Sequence, residues 1–221
     1  MNSTIDSNIT TIENTKEEWS FIICTDGINT QFHDCIIQSI ISQNIPNFEI
    51  IFVTENVYKP PLSLPSIITI VINSYKPSHI TCKKNIGARC ARYENLCFLH
   101  DYLYLGPNWY TGISIFKDTW NVCSFQILNL NGKRMSDWII YNHPILGHTL
   151  VDYNEPAGIY HYVPGLVFCV KKDFILKYPL NEDLIWGQGE DIEWSDRIKK
   201  NDVWNYKFID SIFVQSLKLK I

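Results

Sequence analysis

The chain has 221 residues, about 1.5 times the roughly 150 residues of an average domain, which allows one large α/β domain. Hydrophobic residues make up 46% and charged residues 19%, enough to bury a sizeable core and too apolar for wholesale disorder. With 19 Lys and Arg against 23 Asp and Glu the net charge is −4, which disfavours general binding to nucleic-acid phosphates.

Residues 1–18 are polar, rich in Asn, Ser and Thr, and read as a flexible leader and not a signal peptide. Residues 19–25 are a short apolar run stopped by Asp26-Gly27, the pattern of a buried strand ending in a turn. Over 30–44, Phe32, Cys35, Ile36, Ile40 and Ile41 recur at helical spacing, and Pro46 closes that helix. A second buried strand at 48–54 ends at Glu55-Asn56; a proline-rich loop spans 57–66, and a third strand covers 67–72. Over 83–93, Ile86 and Cys90 with the small residues Gly87, Ala88 and Ala91 form a helix with one closely packed face. A fourth strand at 96–99 runs straight into His100-Asp101-Tyr102.

Strands alternating with helices predict an α/β fold, a central mostly parallel sheet flanked by helices on both faces. In such sheets the ligand sits beyond the carboxyl ends of the strands. Thr25, Asp26, Glu55, Asn56, His100 and Asp101 all fall there and converge on one rim. The second half is less regular. Short strand-like pieces at 124–130, 138–141 and 162–170 precede a short helix at 173–178, a helix from 186–191 through Ile198, and a closing strand at 208–217. No linker divides the chain, so 19–221 reads as one domain.

The seven cysteines form no C-x-x-C pair and lie mostly in apolar runs, which predicts reduced, core-filling thiols. No apolar run reaches the roughly 18 residues a membrane span needs, so a soluble, cytoplasmic protein is expected. His143, His148 and His161 read as hydrogen-bonded loop residues. The phosphate loop, the dinucleotide glycine motif, the serine elbow and the zincin motif are all absent.

Three constellations could carry chemistry. Asp101 at the tip of a buried strand suits a divalent cation bridging two phosphates, or is simply a turn former. In Trp186-Gly-Gln-Gly-Glu190-Asp191, adjacent carboxylates at a helix start are either first-turn caps or a general base for a hydroxyl. The two glycines favour function, because a plain cap does not need them, and Trp186 offers a flat face for a sugar ring. Lys83-Lys84 before a helix start is either an anion site or an exposed basic pair.

In this order the pieces resemble the GT-A glycosyltransferases, especially the family 2-like members, over about residues 19–217. The strand ending at Thr25 and Asp26 resembles the one that cradles the nucleotide base. Gln38-Ser39-Ile40 with Gln43, followed by Glu49-Ile-Ile-Phe-Val53, resembles the next signature, and Glu55 falls where an acidic residue meets base or ribose. Asn85-x-Gly87 with Ala91 matches the helix before the metal strand, with Lys83 and Lys84 near a donor-contacting basic residue. His100-Asp101-Tyr102 lands on the D-x-D triplet, with Tyr102 where the principal metal-binding Asp usually stands. Gln215 takes the place of a late metal-binding His.

Pro164-Gly165 and the W-G-x-G-E-D segment resemble the acceptor side. The resemblance implies Asp191 as catalytic base, Glu190 and Gly165 on the acceptor or donor sugar, and Trp186 as a pocket wall. Thr25, Asp26, Glu55, Lys83, Lys84, Asn85 and His100 would hold the donor, and Asp101 with Gln215 a divalent metal, Mn²⁺ or Mg²⁺. The implied reaction moves a sugar, with inversion, from a nucleotide-sugar donor such as a UDP-sugar to a hydroxyl of a glycan, glycoprotein or other acceptor. Asp101 and Asp191 are then expected to face each other across one pocket. The alternative from another class is a GT-A-like carbohydrate-binding or scaffold module without turnover.

Overall fold

The structure, a computed structural model, describes residues 18–60, 67–73, 75–76, 78–201 and 204–219. The expected leader thus lies outside the described residues except Glu18, which opens the first strand, and so does the 61–66 part of the proline-rich loop. The strands are β1 (Glu18–Cys24), β2 (Asn47–Thr54), β3 (Ile68–Ile72), β4 (Asn95–His100), β5 (Leu103–Leu105), β6 (Val122–Leu128), β7 (Ile139–His143), β8 (Gly147–Leu150), β9 (Val167–Lys171) and β10 (Tyr206–Ser216). The helices are α1 (His33–Ile41), α2 (Ile80–Cys90), α3 (Trp109–Ser114), α4 (Lys172–Lys177) and α5 (Glu190–Lys200).

Eight strands form one sheet in the order β3-β2-β1-β4-β9-β6-β10-β5. β9 runs against β4 and β6, and β5 against β10; the other neighbours are parallel, as expected. β7 and β8 make a separate hairpin.

Side-chain alternation along β1 divides the core between the two faces. Trp19, Phe21 and Ile23 join a cluster with Ile36 and Ile40 of α1 and Trp109 of α3. Ile22 and Cys24 join the opposite cluster, with Ala88 of α2, Ile175 of α4 and Trp194 of α5. Both faces are therefore covered, which is why β1 and β2 are continuous apolar runs. Glu49 of β2 is buried because it serves as a tie: it accepts the Ser20 hydroxyl at 2.7 Å and Arg92 Nε at 2.8 Å.

Several sequence expectations need correction. α1 buries His33, Ile36, Ile37 and Ile40, leaving Cys35 exposed, so its apolar stripe is rotated from the expected one. Cys90 is exposed as well, while the other five thiols are buried; all seven are free. α2 starts at Ile80, three residues before the expected point, and so takes Lys83 and Lys84 into its interior turns. β5, α3 and β8 were not legible. Each is six residues or fewer, too short for periodicity to register. No helix among the described residues is long and apolar enough to cross a membrane.

Candidate active site

Parallel pairing in register ends β1, β2 and β4 on one edge, with Cys24 opposite Val53 and His100. The residues just beyond are tied together there. Thr25 Oγ1 donates to Asp101 Oδ2 at 2.9 Å. Lys83 Nζ donates to the Thr25 carbonyl at 2.9 Å and pairs with the Glu55 carboxylate, which also accepts the Ser78 N–H. Asp26 caps its own turn through the N–H groups of Ile28 and Asn29. Burial opposes its ionisation, yet those N–H groups hold its carboxyl below the usual range. Asn56 Nδ2 binds the Asp26 carbonyl at 2.8 Å. Burial pushes the Asp101 carboxyl up, against the Thr25 hydroxyl and the Lys218 ammonium, which lower it.

The lysine pair departs from the sequence expectation. Neither residue stands exposed before a helix start; both are buried within α2. Lys83 holds the rim together. Lys84 reaches the Gly165 carbonyl at 2.6 Å, and burial pulls its ammonium below its ordinary pKa. Asn85 is also buried, and its amide ties α2 to Leu180 and Glu182, a bracing position away from the rim.

Beside the rim lies a cavity of about 530 Å³ lined by His100, Tyr162, Gly165, Trp186, Glu190 and Asp191, among others. Gly187 and Gly189 have φ of 83° and 73°, the left-handed conformation that glycine adopts without penalty, and they turn the chain sharply into α5. That turn leaves Trp186 65% exposed at the mouth and sets Glu190 and Asp191 in the first helical turn. The Gly165 N–H donates to Asp191 Oδ2 at 2.9 Å, and the Ile192 N–H to Oδ1 at 2.9 Å. Ser195 Oγ donates to the Asp191 carbonyl and accepts the Val163 N–H, clamping α5 to the segment before β9. Glu190 is buried, which raises its carboxyl pKa, and neighbouring Asp191 raises it further.

The triplet residue that reaches this cavity is His100, the last of β4. Asp101, the next residue, is not among the lining residues and turns to Thr25 on the adjoining rim. Gln215 also departs from its expected place. It lies opposite Tyr104 in the β10–β5 ladder, where its Oε1 accepts the Tyr104 hydroxyl at 2.5 Å. The pair Asp101 and Gln215 is therefore not a metal donor set. Asp101 is committed to Thr25 and lies 3.9 Å from Lys218, and among the described residues no group of three or more His, Cys, Asp and Glu gathers to hold a cation. These residues do not fit a divalent metal.

Ser136, Tyr141 and Tyr162 line the cavity without having been singled out. Ser136 and Tyr141 come from the irregular middle of the chain, where no periodicity points inward. Only Tyr162, two residues before Pro164-Gly165, carried a positional signal.

The architecture matches that of solved structures with the GT-A glycosyltransferase fold. Two solved structures illustrate it. The chain matches GalNAc-T7, crystallised with UDP, GalNAc and Mn²⁺, at a TM-score of 0.65 and 15% identity, over 92% of this chain and 44% of that one. It matches residues 1–349 of S. aureus TarS in complex with UDP at a TM-score of 0.64 and 14% identity, over 90% of this chain and 60% of that one. The chain thus spans about half the length of these neighbours. No protein-family model and no curated protein sequence matches it.

Proposed function

We propose that residues 19–221 form one glycosyltransferase domain, a hexosyltransferase-like unit that moves a sugar from a nucleotide-diphosphate sugar, UDP-linked in the first instance, to an acceptor hydroxyl with inversion. The observation that carries this reading is the Asp191 carboxylate, held by two backbone N–H groups at the wall of an open cavity that also receives the β4 tip through His100. A fixed carboxylate within reach of a hydroxyl is what proton removal during attack requires. The donor nucleotide would lie along Thr25, Asp26, Glu55 and His100. The glycan or other acceptor would stack on Trp186 and meet Glu190 and Gly165. The unpaired thiols support a reducing, cytoplasmic setting.

The test is nucleoside-diphosphate release from a panel of nucleotide sugars, with Asp191→Asn as control. Loss of a positioned base should slow acceptor-dependent release by about 10²- to 10⁴-fold with the fold retained, the melting temperature falling only by the loss of one of the two N–H contacts. Undiminished release would remove Asp191 from the mechanism. Tyr102 and Gln215, which stand where the resemblance places metal-binding Asp and His, motivate one second reading, a sugar-binding module without turnover. Stabilisation by free glycan but by no nucleotide would support that reading instead.

A further inference from the structure

The chain directly after β10 returns to the triplet. The Leu217 N–H donates to the Tyr102 carbonyl at 2.8 Å, and the Ser216 hydroxyl bonds both the N–H and the carbonyl of Lys218. This turn fixes the Lys218 ammonium 3.9 Å from Asp101 Oδ1 and 4.7 Å over the Tyr102 ring. An aromatic face attracts an ammonium through its quadrupole. The Lys218 side chain is 38% exposed, and Asp101 is its only ion-pair partner among the described residues. The other lysines of the rim differ: Lys83 is spent on Thr25 and Glu55, and Lys84 on Gly165.

We propose that Lys218 is the resident cation for the diphosphate leaving group, held by Asp101 and Tyr102, so that sugar transfer proceeds without a divalent metal. The proposal rests on the glycosyltransferase reading. In the transfer step the bond from the anomeric carbon to the diphosphate oxygen breaks and its electron pair leaves with the nucleoside diphosphate. The acceptor oxygen bonds the anomeric carbon, and its proton passes to the Asp191 carboxylate. The departing diphosphate gains negative charge, which the Lys218 ammonium stabilises in place. Tyr102 at the last triplet position then has a role: its ring seats an ammonium where a carboxylate would seat a metal.

The experiment measures calorimetric affinity in EDTA for UDP, GDP, CDP and dTDP, then for the nucleoside of whichever binds, in wild type, Lys218→Ala and Lys218→Arg. Wild type should bind one diphosphate equally well in EDTA and in Mn²⁺. Lys218→Ala should weaken that diphosphate by about ten- to a hundredfold, the worth of a hydrogen bond to a charged group, while the nucleoside is unaffected. Lys218→Arg should keep most of the affinity. If the diphosphate binds only with Mn²⁺ or Mg²⁺ present, or if Lys218→Ala weakens diphosphate and nucleoside alike or neither, Lys218 is not the leaving-group cation while the transferase reading stands. If no diphosphate binds under any condition, the transferase reading falls, and this proposal with it.

Discussion

Asp191 and Gly165 hold one another across 26 positions of sequence, the glycine N–H donating to the carboxylate Oδ2 at 2.9 Å. The same residue accepts Lys84 through its carbonyl, so a buried ammonium of α2 and the carboxylate of α5 grip the segment before β9 from two sides. A Cβ on residue 165 would stand 3.0 Å from Asp191 Oδ2 and 3.3 Å from Asp191 Cβ. Gly165→Ala should therefore displace the carboxylate by a few tenths of an ångström. Turnover should fall by about tenfold or more, since small misplacements at a reacting centre cost that much, with little change in melting temperature. Steady-state nucleotide-release kinetics beside a thermal melt read both quantities.

Trp186 packs into neither core cluster and stands exposed at the cavity mouth. Trp186→Ala should leave stability within about 0.5 kcal/mol, as for most surface substitutions. If the indole carries an acceptor sugar, the acceptor KM should rise while the donor KM stays fixed. Acceptor-titration kinetics at saturating donor separate these outcomes.

Gly87 brings α2 against β1. A Cβ there would overlap Cγ2 of Ile22, a fully buried side chain. Gly87→Ala should destabilise the fold by about 1–3 kcal/mol through overpacking, despite the better helix propensity of alanine. Urea denaturation measures the shift.

His33 is fully buried at the start of α1, with Nδ1 2.5 Å from the Tyr58 hydroxyl. Burial, opposed by the nearby Asp26 charge, lowers its pKa from 6.5 to about 4. Between those two values the unfolded chain binds a proton that the folded chain refuses, so His33 makes stability fall as the pH drops from 6.5 towards 4. His33→Gln lacks this group, and the stability gap between wild type and variant should shrink across the same interval. Chemical denaturation at half-unit pH steps checks it; a constant gap would mean that His33 is charged in the fold.

The strands β1, β2 and β4 and the helix α5 were legible in the chain because both-face burial and amphipathic periodicity are local patterns of residue type. So were the polar strand ends at Thr25, Glu55 and His100, since a parallel sheet puts its carboxyl edges together wherever they lie in the sequence. The sequence likewise marked the glycine-flanked carboxylates at 190 and 191.

Side-chain direction was decided only by tertiary packing. Lys83 and Lys84 read as an anion site or an exposed basic pair, yet the turns of α2 that carry them face the sheet, and each ammonium finds a carbonyl there. Gln215 read as a metal ligand, but its register against Tyr104 turns it elsewhere. Lys218 carried no sequence signal. It reaches Asp101 because Leu217 hydrogen-bonds Tyr102 across more than a hundred residues, a contact made by the meeting of β10 and β5 and by nothing local. Residue type sets which groups exist; strand register and chain return set which of them meet, because those depend on partners that no local window contains.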